Sequence, residues 1–172
     1  MFLVSMAFLV SSSVSFSAAG YEAHYIRTQK SMPPCSMVSS ELVYGYEAGK
    51  KKALLVTPIG GKDPYNQTLV LDCSAAKSWK QLSRDALRDG IAIHVNYAFR
   101  EYWQQRAIWK RHPGKAAPPG RSTHQEGLSV DIRYDGQVMR WMRKNACRYG
   151  FANDVKSEPW HWSFLGQKCK GR

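Results

Sequence analysis

Two stretches of strict alternation constrain this chain more than any other feature. In the first, Leu128, Val130 and Ile132 fall on one side of an extended segment and Ser129 and Asp131 on the other. In the second, Trp160, Trp162 and Phe164 oppose His161 and Ser163. A period of two marks a strand with one face on a core. Burying both apolar sides leaves Asp131 and His161 pointing away from the local core, where a third group can reach them. The loop before the first strand supplies His124, and Glu158 stands just before the second. Catalytic metal sites take three protein ligands, keep a position for water, and place a base nearby that is not itself a ligand. His124, Asp131 and His161 are the expected ligands and Glu158 the expected base. Gly127 interrupts the step from His124 to Asp131, which excludes the helical His-Glu-x-x-His arrangement. A loop and two strands must converge instead.

The rest of the chain supplies the elements that could bring them together. Ala53 to Val56 and Thr68 to Leu71 are apolar runs bounded by Gly60-Gly61 and Asp63-Pro64, as expected of two paired strands. Ser74 can cap a helix to Arg88 with Trp79, Leu82 and Ala86 on one face and Gly90 as its stop. Ile91, Ile93, Val95 and Tyr97 alternate with polar or small residues as a half-buried strand. Glu101 to Arg111 has helical composition, and a Pro/Gly-rich loop from Pro113 to Arg121 follows. Asp135-Gly136 opens a further helix with Val138, Trp141, Met142 and Tyr149 inward, closed by Gly150. The expected fold is α+β: a single domain with a small antiparallel sheet carrying the metal site, flanked by about three helices.

Residues 1–19 are apolar, uncharged and end in Ser17-Ala18-Ala19, which reads as a secretory signal peptide, although no Lys or Arg precedes the apolar run. The run is too short and serine-rich for a stable membrane span. Residues 20–40, with Pro33-Pro34, read as an extended arm, and 41–172 as the domain that carries the metal site. Export would place Cys35, Cys73, Cys147 and Cys169 where disulfides persist, with Cys35–Cys73 and Cys147–Cys169 the favoured pairs. An apolar fraction of 44% excludes a disordered chain. The net charge of +12 falls wholly outside the leader. It suits anionic cell-wall polymers in the periplasm, cell wall or extracellular space; no nucleic-acid motif accompanies it, and a nucleic-acid partner is not expected. His24, His94 and His112 lack companions and are read as non-ligands.

Taken together, the segments resemble the zinc D-alanyl-D-alanine carboxypeptidases of the VanY type, whose pattern is Ser-x-His-x-x-Gly-x-x-x-Asp followed by Glu-x-Trp-His. Ser122, His124, Gly127, Asp131, Glu158, Trp160 and His161 match its fixed positions. A Tyr-Arg-Ser-x-x-x-Gln-like segment of the family has its counterpart at Phe99-Arg100-Glu101-Tyr102-Trp103-Gln104. The resemblance covers roughly residues 75 to 166. It implies the fold of the lysostaphin, D-Ala-D-Ala peptidase and hedgehog-like group, one Zn²⁺ on His124, Asp131 and His161, Glu158 as base and acid, and Arg100 supporting the transition state. Peptidoglycan peptides would be the substrate, met by a monomer, with Ser122, Gln104, Ser129 and Trp160 as candidate substrate contacts.

The departures bear on specificity. Tyr97 and Glu101 replace serines around Arg100, and Ser163 follows Trp162. Ser129, Arg121 and Arg133 are the candidates for a substrate's terminal carboxylate, without ranking, and Trp103 and Trp109 could serve the core or the substrate. Two alternatives stay open: a peptidoglycan endopeptidase or endolysin, and a non-catalytic zinc-containing module that binds the cell wall.

Overall fold

The structure is a computed structural model and describes residues 40–166. The leader, most of the arm, His24, Cys35 and Cys169 lie outside the described residues. All described residues fall within one compact unit, Cys35–Arg172.

Among the described residues, two antiparallel sheets and three helices make up the fold. The first sheet has the order β1-β2-β3, formed by Glu41–Glu47, Lys50–Lys62 and Thr68–Asp72. The expected pair is therefore a trio. Leu54, Leu55, Val56 and Thr57 are consecutively buried in β2, because this central strand is covered on both faces. Gly60 and Gly61 do not end β2. Both have positive φ, 91° and 82°, and they sit where the register with β3 shifts, so they bend the strand rather than stop it. Among the described residues the pairing of β1 with β2 ends at Val56, so Pro58 lies beyond it.

Helix α1 spans Cys73–Arg88, two residues earlier than expected: the Asp72 carboxylate, not Ser74, is the cap and accepts from the Ser74 N–H at 2.9 Å. Ala75, Ala76, Trp79, Leu82 and Ala86 form its buried stripe. Trp79 meets Phe151 edge to face with centroids 5.3 Å apart. Gly90, with φ 77°, follows the cap, and the Ile91 N–H closes back on the Ala86 carbonyl.

The second sheet has the order β4-β5-β7-β6, from Val95–Tyr97, Ser129–Ile132, His161–Phe164 and Phe151–Ala152. The strand expected over Ile91 to Tyr97 is shorter because its partner β5 is: pairing begins at Val95, opposite Ile132. Trp160, expected in the last strand, lies just outside β7 and is 40% exposed. Helix α2, Tyr102–Arg111, begins with a reciprocal capping box between Glu101 and Gln104. Helix α3 spans Gly136–Asn145 and tightens into a 3-10 turn, Ala146–Tyr149, before Gly150. Met139 and Met142 are its most buried residues; Trp141, expected inward, is only partly buried and donates through Nε1 to Asp89. Cys73 and Cys147 are not free thiols. Among the described residues no helix is long and apolar enough to cross a membrane.

Candidate metal centre

Register explains how the three expected ligands meet. Asp131 on β5 lies opposite His161 on β7, and two rungs further Ser129 lies opposite Ser163. Side chains on one face recur every second residue, so both pairs share a face. The opposite face delivers Val130, Ile132 and Trp162 to the core. The polar face is covered by the 3-10 turn Thr123–Glu126, which packs on β5 and carries His124.

That turn can close only on Gly127. Its φ is 71°, its carbonyl accepts from the Asp72 N–H at 2.8 Å, and an added Cβ would stand 2.8 Å from the same nitrogen. His124 is then fixed twice by the segment after β4. Its Nδ1 donates to the Ala98 carbonyl at 2.6 Å, and its own carbonyl accepts from the Arg100 N–H at 3.1 Å. With Nδ1 protonated, Nε2 is the nitrogen with a free lone pair.

Three ligand atoms converge as a result. His124 Nε2 is 3.2 Å from His161 Nδ1 and 3.3 Å from Asp131 Oδ1, and His161 Nδ1 is 3.1 Å from Asp131 Oδ1. A tetrahedral zinc ion with bonds of about 2.0–2.1 Å has ligand-to-ligand edges of about 3.3 Å, so the triangle has the dimensions of such an ion's face. These three residues form a group able to hold a metal.

The charge states suit that use. Burial pushes the His124 imidazole below its usual range, keeping it neutral and free to coordinate, with Asp131 opposing the shift only in part. Burial alone would raise the Asp131 carboxyl. The guanidinium of Arg100, which donates to Oδ2, opposes it, and the carboxyl is held ionised, well below the usual carboxylate range. Arg100 donates from Nη2 to Asp131 Oδ2 at 3.2 Å and from Nη1 to Gln105 Oε1 at 2.9 Å, and its own basicity is lowered by burial.

A cleft of about 350 Å³ opens over the triangle, lined by Arg100, Gln105, Arg121, Ser122, Asp154, Glu158 and Trp160 among others. Glu158 Oε2 is 3.9 Å from His161 Nδ1, next to the ligands without belonging to their triangle. Asn153 holds the turn from Glu158 to His161 by donating to both of their carbonyls, at 2.8 and 2.6 Å.

Several expected contacts fall elsewhere. Gln104 is spent on the helix cap and on Gln67, outside the cleft; Gln105, 1% exposed, takes its place and also donates to the Ala117 carbonyl. The signal for it was present, since the family pattern sets its Gln five residues after the Arg. Ser129 is fully buried behind the ligands, not at the cleft surface. Arg133 does not line the cleft, whereas Arg121 does. Trp103 and Trp109 are exposed away from it. Asp154 and Asn153 were missed, because each matters through position in space and not through a local pattern. His94 and His112 stay apart from the triangle.

Fold and site together define a small α+β domain built around one His–Asp–His metal-type centre. The chain belongs to the VanY D-alanyl-D-alanine carboxypeptidase family, whose profile matches residues 68–167. It is 24% identical over 126 residues to a D-alanyl-D-alanine carboxypeptidase of Enterococcus faecium, covering 63% of this chain and 42% of that protein. It is 27% identical over 126 residues to the putative carboxypeptidase YodJ of Bacillus subtilis (strain 168), covering 55% and 46%. The chain thus spans less than half the length of these curated relatives. Among solved structures, it resembles the LdcB LD-carboxypeptidase with a TM-score of 0.54 at 23% identity, covering 66% of this chain and 69% of that one. The D,D-pentapeptidase VanY of a VanB-type vancomycin-resistance cassette, solved with Zn(II), gives a TM-score of 0.50 at 22% identity, covering 72% and 87%.

Proposed function

We propose that this protein is an exported, monomeric, zinc-dependent carboxypeptidase that removes the terminal D-alanine from peptidoglycan stem peptides. One observation carries the reading: three ligand atoms 3.1–3.3 Å apart face a cleft that also holds Glu158. Family membership and a relative solved with Zn(II) support zinc as the ion, with His124, Asp131 and His161 as its ligands. When bound, zinc would supply Lewis acidity toward the amide carbonyl and bring a bound water's pKa to about 7.

The chain's own residues then carry the proton and the charge. Glu158 takes the proton of the attacking water as the C–O bond forms, and returns it to the nitrogen of the leaving D-alanine as the C–N bond breaks. Arg100 places a fixed positive charge beside the carbonyl oxygen as it becomes negative. Ser122 and Trp160, both on the cleft wall, contact the peptide, and Arg121, which lines the same wall along with Lys115, is available for its terminal carboxylate. The excess of 25 Lys and Arg over 13 Asp and Glu draws the protein to anionic wall polymers. The pairs Cys35–Cys73 and Cys147–Cys169 tie the flanks of the domain.

The test is release of D-alanine from a defined pentapeptide stem. Glu158→Ala should lose roughly 10²–10⁴ in rate while keeping its zinc, since the base is not a ligand. Full activity in that variant overturns the reading, and mass spectra of the products separate terminal from internal cleavage.

A further inference from the structure

Behind the metal triangle lies a run of hydroxyls that the reaction above does not use. His161 Nε2 is 3.1 Å from Ser163 Oγ, Ser163 Oγ is 2.8 Å from Ser129 Oγ, and Ser129 Oγ donates to Thr123 Oγ1 at 2.6 Å. Ser129 and Ser163 are 0% and 1% exposed, so water does not compete for these bonds. Three hydroxyls in a row are not needed for packing two strands. They stand here because the rung Ser129–Ser163 follows the rung Asp131–His161 on the same face, under the turn that carries His124.

The proton count gives the run a direction. A serine hydroxyl has one proton to donate. Ser129 gives its proton to Thr123, so between the two serines it accepts, and the donor is Ser163. Ser163 has then no proton left for His161, toward which it can only accept. His161 Nε2 must therefore carry the hydrogen, and the lone pair is left on Nδ1, the atom aimed at His124 Nε2 and Asp131 Oδ1. Asp154, the other group near Nε2, is 3.7 Å away, too far for a hydrogen bond.

We infer that Ser163, Ser129 and Thr123 form a one-way hydroxyl relay that sets the tautomer of His161 for coordination through Nδ1. The relay takes one member from each segment that carries a ligand: Thr123 beside His124 on the turn, Ser129 beside Asp131 on β5, Ser163 beside His161 on β7. It therefore fixes the three ligands relative to one another before the ion arrives, and its members are positioning residues, not catalytic ones. The inference rests on the zinc reading proposed above. Outer partners of ligating histidines commonly matter by 10–100-fold in metal affinity.

The decisive variant is Ser129→Ala, which removes one buried hydroxyl that touches no ligand. With Ser129 gone, Ser163 is released to donate to His161 Nε2, which favours the wrong tautomer. Zinc affinity, measured by chelator competition, should fall by roughly 10–100-fold, and the visible spectrum of the Co²⁺-substituted protein should change, with far-ultraviolet circular dichroism retained. Ser163→Ala should do the same, and Ser163→Thr, which keeps the hydroxyl, should restore much of the affinity. Ser129→Ala with wild-type zinc affinity and an unchanged cobalt spectrum overturns the relay. A wild-type protein that binds zinc tightly through this relay yet releases no D-alanine would sink the proposed activity alone; one that binds no zinc would sink both.

Discussion

Gln105 shows how much one residue of helical phase decides. Its amide is 1% exposed and holds the Arg100 guanidinium on one side and the Ala117 carbonyl on the other, joining the cation of the site to the loop that walls the cleft. Gln104, one position earlier and about 100° round the helix, is half-buried, with a capping role and a bond to Gln67. Gln105→Ala leaves a buried guanidinium N–H and a carbonyl without partners, at a cost of about 1–3 kcal/mol, whereas Gln104→Ala should cost under about 1 kcal/mol. Urea unfolding of the two variants checks this, and equal losses would mean that Gln105 is not the clamp. The convergence of His124, Asp131 and His161 beside Glu158 was legible from the amino-acid order because their side-chain chemistry narrows the choice to very few residues. Gln105 was missed although its spacing from Arg100 fits the family pattern, because Gln104 stands beside it and the turn of the helix decides which of the two faces the guanidinium.

Between elements, the bond from Tyr149 to Asp85 ties the 3-10 turn after α3 to helix α1 at 2.6 Å. Burial, reinforced by the Asp85 carboxylate, pushes the Tyr149 phenol up from 10.0 to about 12. The folded state thus keeps a proton that the unfolded chain releases at about pH 10. The stability from this group is fully present below about pH 10 and is lost as pH rises through about 12. Unfolding free energy followed across that window should decline more steeply in the wild type than in Tyr149→Phe, and identical profiles would refute the linkage. At this scale the strands around the site were legible, since Leu128 to Ile132 and Trp160 to Phe164 alternate. Their limits and partners were not: β4 is cut to three residues by the shortness of β5, and β2 runs on through Gly60 and Gly61 because β3 continues to pair with it. Pairing is a property of two segments, and each carries only half of it.

For the whole molecule, the site is a clasp. One candidate ligand comes from a turn packed on β1, one from β5 and one from β7, and an unfolded chain has no such triangle to offer. Zinc binding is then coupled to folding, and at a free concentration one hundred times the Kd it should add about 2.7 kcal/mol of stability. Readdition of zinc to chelator-stripped protein should raise Tm by on the order of 10 °C, a shift that His161→Ala abolishes. A Tm indifferent to zinc would count against the centre. The order of amino acids alone determined which residue types were available for metal chemistry and which strand faces would be buried, because chemistry and periodicity are local. Only the tertiary structure decided that Ser129 is a buried partner of Ser163 and not a substrate contact, that Gln105 and not Gln104 holds Arg100, and that Asp154 and Asn153 flank the site. Those outcomes depend on which segments come to lie side by side, and side-chain distances across a fold are set by packing among all of its elements.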